Sequence, residues 1–425
     1  MLSARRALAP RPLALRDALG CVTAGPVVAR EAVPPFTNSA VDGYALRAAD
    51  TASVPVTLAV VGSIMAGSHL DRTVGAGEAV RIMTGAPLPP GADAVCMVEW
   101  TTTSASGALV TIERSTGPGE SVRHAGEDVV AGQEVFPSGT VLTPASLGVL
   151  AGVGETTVLA VPRPRVGVLS TGDELYAGPG PLPRGTIRDS NRLALLATVE
   201  QSGFDALDLG LVRDDEHALR AALLDGAARC DALLTSGGVS VGDRDVVKAV
   251  LAELSGGLMR WMQVAVRPAK PFAFGEIGPG AVPVFGLPGN PVSAMVSFEL
   301  YARPALRKMA GYEVLGRPQV LAVADEPLTR RSDGKLHLVR VVARYAPDGL
   351  VHVRSAGGQG SHQLHAMALA NALALLPDGT GVATGGTVHA MLLDPGTATP
   401  LDPPRPDALD VLGAGRASPA SGGAP

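Results

Sequence analysis

Residues 231–245 read DALLTSGGVSVGDRD, and the fold turns on this stretch. A short apolar run (Ala232, Leu233, Leu234) ends at Thr235-Ser236-Gly237-Gly238. Ser240 and a Gly242-Asp243-Arg244-Asp245 corner follow, and apolar residues then recur at Val246, Val247, Val250, Leu251 and Leu254. The spacing predicts a buried strand ending in a loop that opens a helix. In an open α/β sheet, ligands gather at the carboxyl ends of the strands, where paired glycines let backbone N–H groups approach an anion. Two carboxylates beside such a loop would repel a phosphate unless a cation lay between them, which suggests a Mg²⁺-bridged phosphate site. An ordinary Gly-rich loop with solvated aspartates also explains the stretch. Such loops are common in α/β folds, so in isolation the plain reading is favoured.

The same rhythm extends on both sides. A strand over 165–169 ends in Ser170-Thr171-Gly172-Asp173-Glu174-Leu175. Residues 187–190 lead into a helix over 191–201, 206–212 is a strand, and 214–228 is a helix with Asp214 or Asp215 at its N-cap. Strands near 262–266, 272–274 and 282–285 follow, then a helix after Gly286-Leu287-Pro288-Gly289-Asn290-Pro291-Val292-Ser293. Alternating elements at this spacing predict a mostly parallel, three-layer α/β domain with its polar loops along one edge. That edge collects 170–174, Asp214, 236–245, 267–271 and 286–293, which together hold acids for a divalent cation, two basic side chains and several hydroxyls. A purely structural domain has no need of this accumulation, so a binding site is expected there. No Ser/His/Asp or Cys/His nucleophile pattern is visible, and the histidines lack zinc-ligand spacing.

Earlier in the chain, 14–19 reads as a helix. Residues 34–45, PPFTNSAVDGYA, cannot form a regular helix and read as a linker or as a rigid loop presenting Asn38, Ser39 and Asp42. Runs at 56–61, 79–83, 94–98 and 109–112 between Gly/Pro turns argue for a small β-domain. Inside it, Arg81-Ile82-Met83-Thr84-Gly85-Ala86 and Arg123-His124-Ala125-Gly126-Glu127-Asp128 are unusually polar, although a solvated charged turn explains the second nearly as well. Residues 139–160 alternate apolar stretches with Gly, and Pro162-Arg163-Pro164 marks a boundary. Residues 303–318 read as a helix tail and linker. Residues 320–393 are again β-rich, with strands at 336–343, 350–353 and 372–376, and Arg340 and Ser361-His362 as their notable polar residues. From about 394 the chain turns Pro-, Gly-, Ala- and Ser-rich and reads as disordered.

Composition sets the outer limits. With 425 residues, 46% hydrophobic content and a net charge of -5, the chain belongs among globular multidomain proteins. No Lys/Arg-rich run is present to neutralise a duplex, which argues against nucleic acid, and every apolar run stops short of a membrane span. Cys21, Cys96 and Cys230 are scattered without a CxxC, as befits a reducing cytoplasm. Lysine occurs only at Lys248, Lys270, Lys308 and Lys335, so the position of each carries some information.

Taken in order, Asn38-Ser39-Ala40-Val41-Asp42-Gly43-Tyr44, Thr84-Gly85-Ala86, residues 123–128, 170–175 and 235–245, Pro268-Ala269-Lys270-Pro271 and residues 286–293 make the chain resemble the molybdopterin molybdenumtransferase (MoeA) family, which includes the E domain of gephyrin. The resemblance covers everything before the tail, and its motifs are jointly far more specific than any one Gly-rich loop. It implies Mg²⁺-dependent conversion of adenylyl-molybdopterin and molybdate into molybdenum-molybdopterin and AMP, the last step of molybdenum cofactor assembly. It also implies a cytoplasmic homodimer with the site shared between protomers. Molybdopterin adenylyltransferase and molybdoenzymes would be transient partners. Four domains are implied: domain I from 1–36 and 131–162 for linking and dimerisation, a β-rich domain II over 37–130, the α/β molybdopterin-binding domain III over 163–310 and a β-barrel-like domain IV over 311–398, ahead of a disordered tail over 399–425.

Matched position by position, the resemblance gives Asp42, Thr84, Asp128, Glu174, Asp214 and Asp245 catalytic roles, with Glu174 and Asp245 as Mg²⁺ ligands. Substrate would meet Arg123, Ser170, Thr171, Gly172, Ser236, Gly237, Gly238 and Ser240 on one side. Arg267, Lys270, Pro271, Pro288, Asn290, Pro291, Ser293, Arg340 and Ser361 would complete the set, with Arg267, Lys270, Ser293, Arg340 and Ser361 handling the molybdate and phosphate anions. The chain departs from the family at Val41 (usually Met), Ala269 (usually Gly), Gln263 (commonly basic) and His365-Ala366 (a Ser-rich segment). Two other readings stand beside the transferase: a non-catalytic scaffold or carrier for the cofactor, and a nucleotide-binding α/β enzyme unrelated to molybdenum.

Overall fold

The computed structural model describes residues 6–238 and 246–393. The chain divides into two compact units, one from Ala9–Pro162 and the other from Arg163 onward together with Leu8, whose N–H donates to Met309 O at 2.8 Å.

In the first unit a six-stranded sheet runs in the order Ala94–Met97, Gly43–Leu46, Glu78–Ile82, Val56–Ile64, Leu109–Ile112, Thr101–Thr103. Its strands are the four predicted β-runs plus Gly43–Leu46 and Thr101–Thr103. Along Gly43–Leu46 successive side chains enter opposite cores, Tyr44 and Leu46 on one face and Ala45 on the other, as strand geometry requires. A second, three-stranded sheet joins Arg11–Ala14, Thr157–Val161 and Val22–Thr23.

Two expectations fail in this unit. Residues 14–19 do not form an α-helix: Arg11–Ala14 pairs with the strand at 157–161, and only a single 3₁₀ turn follows at Leu15–Asp17. Six residues make too few intrahelical hydrogen bonds to outweigh a full strand pairing. Conversely, the apolar stretch within 139–160 contains a helix, α1 (Pro144–Gly152), started by a Thr143 cap that exchanges hydrogen bonds with Ser146 and by Pro144 at the first helical position.

The second unit begins with the α/β sheet. Strands β1 (Arg165–Thr171), β2 (Asp205–Val212), β3 (Ala232–Ser236), β4 (Arg260–Gln263), β5 (Pro271–Ile277) and β6 (Val282–Leu287) lie in the order β2-β1-β3-β6-β5-β4. The first four in that order are parallel, and β5 and β4 add on antiparallel. Helices α2 (Ser190–Gln201) and α5 (Pro291–Ser297) cover one face, while α3 (Glu216–Arg229) and α4 (Val246–Leu254) cover the other. The strands read as near-continuous apolar runs because both faces are buried: Val168, Leu234 and Phe285 enter the α2 side, and Leu169, Leu233 and Val284 the α3 side. Burying each such side chain stabilises the fold by about 1.5–3 kcal/mol. Of the two candidate caps for α3, Asp215 is the one used, accepting from Ala218 N at 2.7 Å.

The expected strand near 262–266 breaks in two. Arg260–Gln263 stays in the α/β sheet, whereas Val266–Arg267 pairs with Leu336 and His337 in the last domain. There β7 (Gln319–Ala324), β8 (Leu336–Tyr345), β9 (Val351–Ser355), β10 (Ala372–Leu376) and β11 (Thr387–Leu392) run in the order β8-β9-β7-β11-β10, and β10 pairs back onto β8. That closes a five-stranded barrel without free edges around Val341, Val353, Ala374 and Ala390. Among the described residues no helix is long and apolar enough to cross a membrane, and all three cysteines are buried.

Candidate active site

The carboxyl ends of β1, β3 and β6 converge. Ser170 lies opposite Ser236, and Ser236 opposite Leu287, in the parallel register. Gly237 N donates to Leu287 O at 3.1 Å, and a Cβ on Gly237 would stand 3.0 Å from Thr171 O. Both serine hydroxyls are buried and engaged inside the protein. Ser170 Oγ donates to Asp189 Oδ1 at 3.0 Å, and Ser236 Oγ accepts from Asn191 Nδ2 at 2.8 Å. The Asn191 amide also donates to Gly289 O at 2.7 Å, tying the loops after β3 and β6 together. Asp189, which caps α2 and pairs with Arg192, and Asn191 were not singled out from the sequence; the Asp189-Ser190 cap signal was the one clue to them.

On the outer side of this edge Glu174 is exposed, and its carboxylate folds back over Gly172, where a Cβ would sit 2.6 Å from an oxygen. Asp214 is exposed, and its N–H donates to Asp173 Oδ1 at 3.4 Å. Asn290 is exposed at the start of α5 and makes no side-chain cap bond, with Pro291 at the first turn and Pro288 buried behind it. Ser240 and Asp245 lie outside the described residues, as do Asp243 and the tail.

Where the strand breaks, the chain makes a second structure. The Arg267–Pro271 turn runs between the α/β sheet and the barrel, with buried Ala269 at φ 79. Beside it is a cavity of about 280 Å³ lined by Val266, Arg267, Pro268, Ala269, Lys270, Pro271, Ser293, Lys335, Gln359 and Ser361. Five of the residues assigned from the resemblance, Arg267, Lys270, Pro271, Ser293 and Ser361, therefore meet in one place. Lys335 and Gln359 join them unforeseen. Three cations and two hydroxyls with no acid in the lining make a setting for an oxyanion. A neighbouring cavity of about 370 Å³ shares Arg267, Pro268 and Gln359 and adds Arg331 and His337.

Arg340 is placed differently. It is fully buried on β8, beneath the loop over 357–361. Its Nη2 donates to Gly358 O at 2.7 Å and Gly360 O at 3.2 Å, and burial pushes its pKa down. Its Nε and Nη1 have no acceptor among the described residues. The Gln359 side chain accepts from Arg340 N and donates to Arg340 O, and Ser361 O accepts from Val292 N at 3.1 Å. The loop that brings Ser361 to the cavity is thus held from below by Arg340 and from the side by α5.

In the first unit, Thr84 N and Thr84 Oγ both donate to Asp42 Oδ1 at 2.7 Å, because the pairing of Gly43 with Ile82 brings their loops together. The main-chain bond first, then the hydroxyl, hold the exposed Asp42 carboxyl below the usual carboxylate range. A depressed folded-state pKa contributes stability above the unfolded value that is lost as the pH falls through the folded one. Thr84→Val removes one of the two bonds, so an NMR titration will show the Asp42 carboxyl moving up toward its ordinary range. Arg123 is exposed and pairs with Asn38, and exposed Asp128 donates its N–H to Val33 O.

Residues 2–154 match the description "MoeA N-terminal region (domain I and II)", residues 167–308 "Probable molybdopterin binding domain" and residues 322–393 "MoeA C-terminal region (domain IV)". The molybdopterin molybdenumtransferase of Haemophilus influenzae is 37% identical over 377 residues, covering 88% of this chain and 92% of its own. The chain belongs to the molybdopterin molybdenumtransferase (MoeA) family. Molybdopterin molybdenumtransferase 2 of Mycobacterium tuberculosis is 39% identical over 390 residues, 90% of this chain and 94% of its own. The crystal structure of the molybdopterin biosynthesis MoeA protein from Pyrococcus horikoshii superposes with a TM-score of 0.71 at 28% identity, covering 92% of this chain and 97% of that one.

Within the family frame, the departure at Ala269 has a visible cost. An alanine at φ 79 is in the left-handed region that glycine occupies freely, at about 1 kcal/mol or more. Among the described residues no group of three or more His, Cys, Asp or Glu could hold a metal ion. Mg²⁺, however, is commonly bound by one or two carboxylates together with substrate phosphates and water, and an exposed carboxylate such as Glu174 fits that mode.

Proposed function

We propose that this MoeA-family chain, a transferase of molybdenum cofactor biosynthesis, joins molybdate to adenylyl-molybdopterin in a Mg²⁺-dependent reaction that releases AMP. The observation that carries the reading is the acid-free cavity walled by Arg267, Lys270, Lys335, Ser293 and Ser361. Molybdate is a dianion, and such a wall supplies cations and O–H donors in place of its hydration. The loop from Pro288 to Ser293 belongs to both halves. Its Gly289 carbonyl is bonded to Asn191 at the strand ends, and its Ser293 lines the cavity. Asn191 therefore orients the loop that carries an anion-binding hydroxyl, while Gly238 offers its backbone N–H to the substrate phosphates, that of Gly237 being bonded to Leu287 O. Mg²⁺ would supply charge screening of the phosphoanhydride, held by Glu174 and Asp245. The pterin dithiolene does the covalent chemistry, so the chain needs no nucleophile of its own. In a cytoplasmic homodimer, Asp42, Thr84, Arg123 and Asp128 of one protomer would serve the partner's site.

The test is AMP release from adenylyl-molybdopterin on adding Mg²⁺ and molybdate to the purified chain. We expect release that depends on both and falls about tenfold or more in Glu174→Gln and Asp245→Asn, the range seen when groups that support a metal site are removed. Absence of AMP, or release indifferent to both substitutions, would overturn the reading; pterin binding without turnover would point to a carrier.

A further inference from the structure

We propose that Lys335 is a direct oxyanion-binding residue of the cavity and that Asp333 is the positioning residue that aims it. The inference rests on the transferase reading above, but its central measurement does not need turnover.

Arg267 and Lys270 both come from the single turn over 267–271, so by themselves they hold an anion from one side. Lys335 reaches the same cavity from the barrel, immediately before β8, and is one of only four lysines in the chain. Its Nζ donates to Asp333 Oδ2 at 2.9 Å. Asp333 is itself fixed, because its Oδ1 accepts from Arg330 Nη2 at 2.9 Å and takes His337 Nε2 at 3.1 Å. Arg330, with its side chain only 1% exposed, is pinned in turn by the carbonyls of Lys335, Leu376 and Pro377. The bonds from Lys335 and then His337 hold the Asp333 carboxyl down at about 2, so it remains an anion throughout the neutral range.

An ammonium has three N–H donors, and the bond to Asp333 uses one. The other two are free to meet oxygens in a cavity whose hydroxyl donors are Ser293 and Ser361, the Gln359 amide being spent on Arg340 O and Gly357 O. A lysine merely neutralising Asp333 on the surface would have no reason to lie along the cavity. A tetrahedral dianion placed there is met by cations from two structural elements, and the barrel becomes part of the anion site through a group other than buried Arg340.

The experiment compares the full-length wild type with Lys335→Gln, Lys335→Arg and Asp333→Asn by calorimetric titration with molybdate and by AMP turnover. Lys335→Gln is expected to weaken molybdate binding about tenfold and to raise KM for molybdate by the same factor, with kcat within about twofold. Lys335→Arg regains most of that loss, and Asp333→Asn loses about threefold because the ammonium is no longer aimed. Equal molybdate affinity in wild type and Lys335→Gln, or no recovery in Lys335→Arg, overturns the assignment even if the wild type turns over normally. Wild type that binds molybdate but releases no AMP removes the transferase reading, and the Lys335→Gln titration still decides the role of the lysine.

Discussion

Lys270→Ala will lower molybdate-dependent AMP release by about a thousandfold. Removing one preorganised donor from a site that binds developing charge typically costs 10²–10³ in rate, and a cation in an acid-free cavity stands at the upper end of that range. The main chain around Lys270 is fixed without help from its side chain. Lys270 O accepts from Val264 N at 2.8 Å, Ala269 O accepts from Tyr301 Oη at 3.4 Å, and Ala269 is buried. The Lys270 side chain is exposed, so truncation removes the charge and leaves the turn in place. The expected loss is much larger than for Lys335→Gln because Lys335 is already paired with Asp333, while no acid lines the cavity beside Lys270. Steady-state AMP release under saturating adenylyl-molybdopterin, with unfolding followed in parallel, checks both points. A loss below about tenfold, or a shifted unfolding midpoint, would contradict this account of the cavity.

How far the sequence disclosed this arrangement depended on the range of the interactions. The parallel sheet was legible because its strands are apolar on both faces and its helices are periodic, which are local properties of segments such as 165–171 and 232–236. The cap at Asp215, narrowed beforehand to two residues, was local in the same way. The break in the strand near 262–266 was not, since Val266 and Arg267 leave the α/β sheet for partners at Leu336 and His337, far along the chain. Nothing in the intervening residues announces that choice. The anion cavity depends on the same crossing, so no local pattern ties Lys335 or Gln359 to it, whereas Lys270 and Ser293 are carried by their motifs. Arg340 shows the reverse limit. The resemblance, matched position by position, gave it an anion-binding role, and in the structure it lies between Val339 and Val341 on a barrel strand, buried beneath the loop that it braces. A charged residue within an apolar strand was the available sign that its surroundings would be unusual. Ser170 and Ser236 likewise matched their motifs, yet their hydroxyls bond to Asp189 and Asn191, which only the packing of α2 against the strand ends brings within reach.

Gly238→Ala will lower the thermal midpoint of this unit by about 6–12 °C, and the reason changes how the glycine pair is understood. From the sequence, Gly237 and Gly238 looked like a backbone cradle for a phosphate. In the structure a Cβ on Gly238 would lie 2.3 Å from Val247 Cβ and within 2.6 Å of both its methyl carbons. Val247 is itself buried in the α4 side of the core, packed among Leu219, Val250 and Leu251 in one cluster. Overpacking of this kind costs about 1–3 kcal/mol, and a residue with a side chain at φ +71 adds about 1–2 kcal/mol of backbone strain. A total of about 3 kcal/mol corresponds to that shift in a domain of this size. Gly203→Ala separates the two terms: Gly203 also has positive φ, at +83, but a Cβ there meets nothing within 4 Å. It should bear the backbone strain alone, about 1.5 kcal/mol, and shift the midpoint by only about 3–6 °C. If both variants melt together, the contact with Val247 is unimportant and the glycine is needed only for its backbone angle. If Gly238→Ala melts well below Gly203→Ala, the second glycine exists to let α4 close onto the end of β3. In that case, whatever the loop offers a phosphate depends first on close packing between strand and helix.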